Sequence, residues 1–134
     1  MKYTVEEFWN RYYDLPYNER EAAFEEWYQS IDVGDKVNVL LYSDREPATV
    51  IKKTAKTLTV RYDKAHRDPN WKPEWIAGGF SAICTNDNDQ KWIIEDDPFG
   101  KIEVFRWHKN AGHYISANGL KLFPGWMKYY DYNF

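Results

Sequence analysis

The sequence predicts an α+β fold, an N-terminal antiparallel helix pair followed by an antiparallel β-barrel or strongly curved sheet. Three observations carry this. Apolar residues within 1–33 recur at helical spacing behind two capping motifs. From Gly34 onward they alternate with a period of two, and turn-forming residues break that alternation into short runs. At 134 residues the chain has the size of one domain, 1–134, with a helical hairpin over 1–33 and a β body over 34–134. That length suffices to bury a core without disulfide or metal.

Thr4, with Glu7 three residues on, has the form of a capping box, in which side chain and backbone satisfy each other's free donors. Val5, Phe8, Trp9 and Tyr12 follow at the i, i+3, i+4, i+7 spacing of one helix face. Pro16 cannot continue a helix, which sets the first one at about 4–14. Asn18 and Glu21 repeat the capping pattern, and Phe24, Trp27, Tyr28 and Ile31 form a second apolar stripe that runs out before Gly34.

In the β body, Val37, Val39 and Leu41 alternate with Asn38, Leu40 and Tyr42. After a polar turn at Ser43-Asp44-Arg45-Glu46-Pro47, strands resume at Ala48-Thr49-Val50-Ile51 and at Thr57-Leu58-Thr59-Val60-Arg61-Tyr62. Residues 64–75 read as a polar connection, 76–85 as one strand interrupted by Gly78-Gly79, and 86–89 as a turn. Trp92-Ile93-Ile94-Glu95 and residues 101–107 read as a hairpin, with 113–116 pairing back and Asn118-Gly119 turning into Leu120-Lys121-Leu122-Phe123. The Gly34-Asp35 start, a curved second strand and a third ending in Tyr62-Asp63 resemble small SH3-like or Tudor-like barrels, a fold pattern that hosts many functions.

The chemistry-bearing residues do not converge. Cys84 is the only cysteine, so one chain forms no disulfide and no Cys-rich zinc site, and the residue reads as a small buried apolar group in a reducing compartment. His108 and His113 flank a turn without a third ligand, and His66 reads as a solvated loop residue. Gly78-Gly79 leads into Phe80-Ser81 without the Lys-Ser/Thr pair of a phosphate loop. Glu95-Asp96-Asp97 precedes a Pro-x-Gly turn and reads as turn chemistry. No catalytic residue, cofactor or metal follows, and the expected role is binding rather than catalysis. With no apolar run near the roughly 20 residues of a membrane span, and no apolar stretch at residues 1–7, the expected location is the cytoplasm, away from membranes.

Charge divides the chain. Residues 1–33 carry 8 acidic and 3 basic side chains, whereas 34–134 carry 13 and 15. The acidic candidates are Glu6, Glu7, Asp14, Glu19, Glu21, Glu25 and Glu26, whose plainer reading is the solvated face of an amphipathic helix pair. Lys52, Lys53, Lys56, Arg61, Lys64 and Arg67 form the basic candidate, with Asp63 the only acid among them. Such a patch neutralises phosphates, or it is a hairpin edge on which lysines block unwanted pairing. Trp71, Trp75, Trp107, Trp126 and the closing tyrosines can build a stacking platform or a cation cage, although most aromatics are needed for the core.

Ser43-Asp44-Arg45-Glu46-Pro47-Ala48-Thr49-Val50, Asp63-Lys64-Ala65 and the closing Tyr129-Tyr130-Asp131-Tyr132-Asn133-Phe134 resemble a group of small uncharacterised proteins from phages and mobile elements. These share S-D-R-x-P-A-T-V and end on Y-Y-D-Y-x-F. The resemblance covers residues 34–134 and implies a phage or mobile-element source. In that setting the expected function is a stoichiometric inhibitor of a bacterial defence system, anti-CRISPR-like, covering a basic face of a host protein or nucleoprotein complex with the acidic helices. Two other functions stay open, an SH3/Tudor-like nucleic-acid-binding module and a small-molecule or nucleotide sponge whose aromatic pocket stacks a base. The motifs also have structural readings. Asp44 bonds its own turn, Arg45 pairs with Asp44, Glu46 or Asp131, and the tyrosine tail adds an edge strand that packs rings into the barrel mouth.

Overall fold

The computed structural model describes residues 4–78 and 81–133. Helices α1 (Val5–Asp14) and α2 (Arg20–Ser30) precede ten strands: β1 (Lys36–Leu40), β2 (Arg45–Lys53), β3 (Thr57–Tyr62), β4 (Lys64–Arg67), β5 (Trp75–Gly78), β6 (Ser81–Cys84), β7 (Trp92–Glu95), β8 (Ile102–His108), β9 (His113–Ser116) and β10 (Lys121–Phe123). Six of them close an antiparallel barrel in the order β1-β10-β9-β8-β3-β2. The α+β class and the barrel are as the sequence predicts.

The Thr4 hydroxyl accepts from Glu7 N at 3.1 Å and starts α1, and Leu15 turns extended before Pro16. The second cap is different. Tyr17–Glu19 forms a 3-10 turn containing Asn18, so α2 starts behind Glu19 without a side-chain cap. Asn18 itself lies within the 3-10 turn, which denies it the extended conformation of a capping residue.

The inward side chains Val37, Val39, Ala48, Val50, Leu58, Val60, Phe105 and Leu122 are fully buried. Phe8, Trp27, Tyr28 and Ile31 join them from the helices, so helix pair and barrel share one core. Each aromatic removes a large apolar area from water, worth about 2–3 kcal/mol. Three consecutive buried residues in β1, Val37, Asn38 and Val39, break the expected alternation. Asn38 faces outward but lies beneath Gly125, and its Oδ1 accepts from Met127 N at 2.8 Å.

Four expectations are corrected. Arg45, Glu46 and Pro47 belong to β2 rather than a turn, because β1 pairs with them directly, Leu40 opposite Arg45. Residues 64–67 of the expected connection form β4, and His66 is exposed on that strand, opposite Ile93. β7 pairs with β4, whereas β8 pairs with β3 and β9, so 92–95 and 101–107 make no hairpin. The stretch 76–85 is two strands, β5 and β6, paired with each other, while Gly79 and Phe80 lie outside the described residues.

The tail is no edge strand among the described residues. It makes one bridge, Arg45 with Tyr129, and Tyr132 packs against Trp71 at 5.7 Å. Phe134 lies outside the described residues. Asp44 Oδ1 accepts from Asp131 N at 2.7 Å instead of closing its own turn, and Glu46 pairs with Lys128.

Candidate functional site

All seven acidic candidates, Glu6, Glu7, Asp14, Glu19, Glu21, Glu25 and Glu26, are exposed. α1 and α2 turn Phe8, Ala23, Phe24, Trp27 and Tyr28 inward, which leaves these carboxylates to solvent. The two cations of this hairpin among the described residues, Arg11 and Arg20, are engaged. Arg11 pairs with Glu26 at 2.9 Å. Arg20 donates from Nε to Leu15 O and lies 5.3–5.8 Å from the rings of Tyr12, Tyr13 and Tyr17. Among the described residues the other six carboxylates make no ion pair. The helices cannot drift under this charge, because Phe8, Trp27 and Tyr28 are locked in the common core.

The basic candidate divides. Lys53 Nζ donates to Gln29 O and Ile31 O, capping the C-terminal carbonyls of α2. Lys64 and Arg67 lie on β4, in a separate two-stranded sheet, and Arg67 Nη1 donates to Tyr132 Oη. Lys56 sits between β2 and β3. Lys52 and Arg61 stay on the barrel, where the register sets new neighbours: Lys52 opposite Thr59, Arg61 opposite Ile102. Arg106 and Lys121 share this outer face through the row Thr57, Arg106, Ile115, Lys121. Those two escape sequence reading because they lie 45 and 60 positions from Arg61. Only the register joins them.

The aromatics do not form one platform. Trp71 and Trp75 pack on Tyr132, Trp107 packs on Tyr28 and Tyr114, and Trp126 Nε1 donates to Asp63 Oδ2 at 2.6 Å. A different aromatic site exists. α1 and the segment after β10 overhang the outer face of β1, β2 and β10 and leave a groove of about 320 Å³. Trp9 and Tyr13 form one wall, Pro124, Gly125 and Met127 the other, with Asn38, Leu40, Arg45 and Phe123 also lining it.

His113 and His108 are cross-strand partners, but His113 Nδ1 is bonded to Tyr28 Oη at 2.7 Å. Burial, then Lys121, holds the imidazole below the ordinary histidine range, and Glu21 opposes them. Tyr28 is held far above the usual phenol range by burial and by Tyr114. No group of three metal-ligating side chains assembles among the described residues. Cys84 is buried and donates to Asn86 Oδ1. At the barrel end away from the helices, Tyr62 Oη donates to buried Glu103 at 2.6 Å. Burial, and then that carboxylate, push the phenol far above its usual range.

No helix among the described residues is long and apolar enough to cross a membrane. Comparison with protein-family models, with curated proteins and with solved structures finds no match for the chain.

Proposed function

We propose that the protein acts by binding, and that the acidic face of the helix pair is its contact surface for a cationic protein or nucleoprotein partner. One observation carries the reading: six exposed carboxylates, which make no ion pair among the described residues, stand on helices whose opposite faces are buried in the barrel core. A surface fixed in this way binds without first being ordered, which removes a large part of the cost of association. Long-range attraction then raises the rate of encounter and suppresses neutral or acidic competitors. In the form that the phage-like motifs suggest, the partner is a nucleic-acid-binding site of a host defence complex, held stoichiometrically.

Removal of residues 1–33 is not a test, because it takes Phe8, Trp27 and Tyr28 out of the core. The test is capture from a host lysate with wild type and with the Glu6→Gln, Glu7→Gln, Glu21→Gln, Glu25→Gln variant. A partner recovered by wild type and lost by the variant supports the reading. Equal recovery refutes it.

A second reading rests on the barrel face that carries Lys52, Arg61, Arg106 and Lys121. No acidic side chain lies in the three rows that hold these cations, and exposed Ile102 and Val104 stand among them. That composition suits a phosphate backbone. Titration of DNA and RNA at two salt concentrations tests it, and absence of salt-sensitive binding sinks it.

A further inference from the structure

The groove between α1 and the barrel is separate from the acidic helix face and adjoins the cationic barrel face, whose row through Lys121 continues to Leu40 and Arg45, and its lining has a definite chemistry. Trp9 and Tyr13 lie one helical turn apart, with ring centroids at 6.1 Å and planes inclined by 30°. Tyr13 is 65% exposed, so this wall offers an open π surface. Arg45 supplies the cation. Its backbone is fixed by two 3.0 Å bonds with Tyr129, and among the described residues its guanidinium makes one hydrogen bond, to Met127 Sδ at 3.7 Å, a weak acceptor. Although acids abound elsewhere on the chain, none lines the groove.

Asn38 is the second polar group, and it is 2% exposed. Its Oδ1 is taken by Met127 N, but its Nδ2 donates no hydrogen bond to any described residue. That leaves the donor free to meet an acceptor in the groove. The amide is also locked in place: Gly125, at φ +139°, approaches so closely that a Cβ there would come within 2.8 Å of Asn38 Nδ2. The side chain therefore presents a preset donor rather than a mobile one.

We propose that this groove binds an aromatic anion of the nucleotide class, with the base stacked on the Trp9–Tyr13 wall, an acceptor atom on Asn38 Nδ2 and the phosphate on Arg45. Both protein groups donate, so the ligand must accept at two places, and the open ring wall calls for a flat π system between them. The groove volume, about 320 Å³, lies at the lower end of small-molecule sites, which run roughly 300–1,000 Å³. The proposal is independent of the acidic helix face, whose carboxylates line none of this groove.

The experiment is calorimetric titration of the full chain with AMP, GMP, CMP and UMP, with adenosine, and with inorganic phosphate. Saturable binding of at least one nucleotide is expected, and for AMP at least a tenfold advantage over adenosine, since a charge-assisted contact exceeds the 1.4 kcal/mol of a tenfold change. Arg45→Gln should remove that advantage and leave adenosine binding unchanged, while Tyr13→Ala should weaken both. Phe99→Ala, a substitution at a 94% exposed ring outside the groove, should change neither. Circular dichroism checks that each variant is folded. No saturation by any nucleotide at millimolar concentration overturns the proposal. So does equal affinity for AMP and adenosine, an unchanged Arg45→Gln, or inorganic phosphate binding as tightly as AMP.

Discussion

Truncating Trp27 to alanine tests whether the helix pair is an attachment or part of the folding unit. The indole is fully buried, 6.1 Å from Phe8 and 4.8 Å from Tyr28 between ring centroids, in the cluster that also holds Val37, Leu58 and Leu122. Large-to-small changes at such sites cost about 3–5 kcal/mol, from lost transfer energy and the cavity left behind. Domains of this kind are stable by about 5–15 kcal/mol, so the variant should lose roughly a fifth or more of its stability. With a urea slope of about 2 kcal/mol/M, the midpoint should fall by roughly 1.5–2.5 M. Far-UV dichroism reports the helices and near-UV dichroism the aromatic barrel interior. Both signals should shift together. A loss below about 1 kcal/mol, or helical signal lost well before barrel signal, would refute the shared core.

Further outcomes follow from single contacts. Tyr28→Phe removes a hydroxyl that donates to Leu122 O at 2.8 Å and meets His113 Nδ1, so stability should fall by about 1–3 kcal/mol in urea titration. Because the folded imidazole of His113 is held below its ordinary value, the unfolded chain binds more protons as pH falls below about 6.5. Stability from this group should therefore be complete above that pH and decline toward the lower folded value, and His113→Gln should flatten the profile. Lys53→Met should cost about 1 kcal/mol through the lost cap on α2 and leave nucleic-acid titrations unchanged. Gly100→Ala should destabilise strongly in thermal melts, since a Cβ there overlaps the Tyr62 carbonyl oxygen.

The parts of the fold legible in the sequence are those fixed by neighbours along the chain. Thr4 and Glu7 cap α1 through a contact three residues long, and the stripe from Phe24 to Ile31 needs only helical geometry. The pairing of β4 with β7 was hidden because Lys64–Arg67 is short, charged and partnered with residues far along the chain, from Lys64 with Glu95 to Arg67 with Trp92. A loop and such a strand read alike. Asn18 failed as a cap because the chain after Pro16 tightens into a 3-10 turn that takes up Asn18 itself.

The same division holds for the proposed binding surfaces. The acidic residues were legible because a helix face is local. The cation face was half legible: Lys52 and Arg61 lie near each other in the chain, whereas Arg106 and Lys121 reach them only through the register of β3, β8, β9 and β10. The groove was not legible, since it joins Trp9 and Tyr13 to Asn38, Arg45 and Met127. No local pattern links those positions.

The acidic helix face is tested most directly by the association rate of the captured partner, measured against ionic strength for wild type and for Glu6→Gln, Glu7→Gln, Glu21→Gln, Glu25→Gln. For wild type the rate should fall steeply with salt. The variant should associate at least tenfold more slowly at low salt and show a flattened salt dependence, with dissociation little changed. A wild-type rate indifferent to salt, or a variant that associates as fast as wild type, would contradict the assignment of that face.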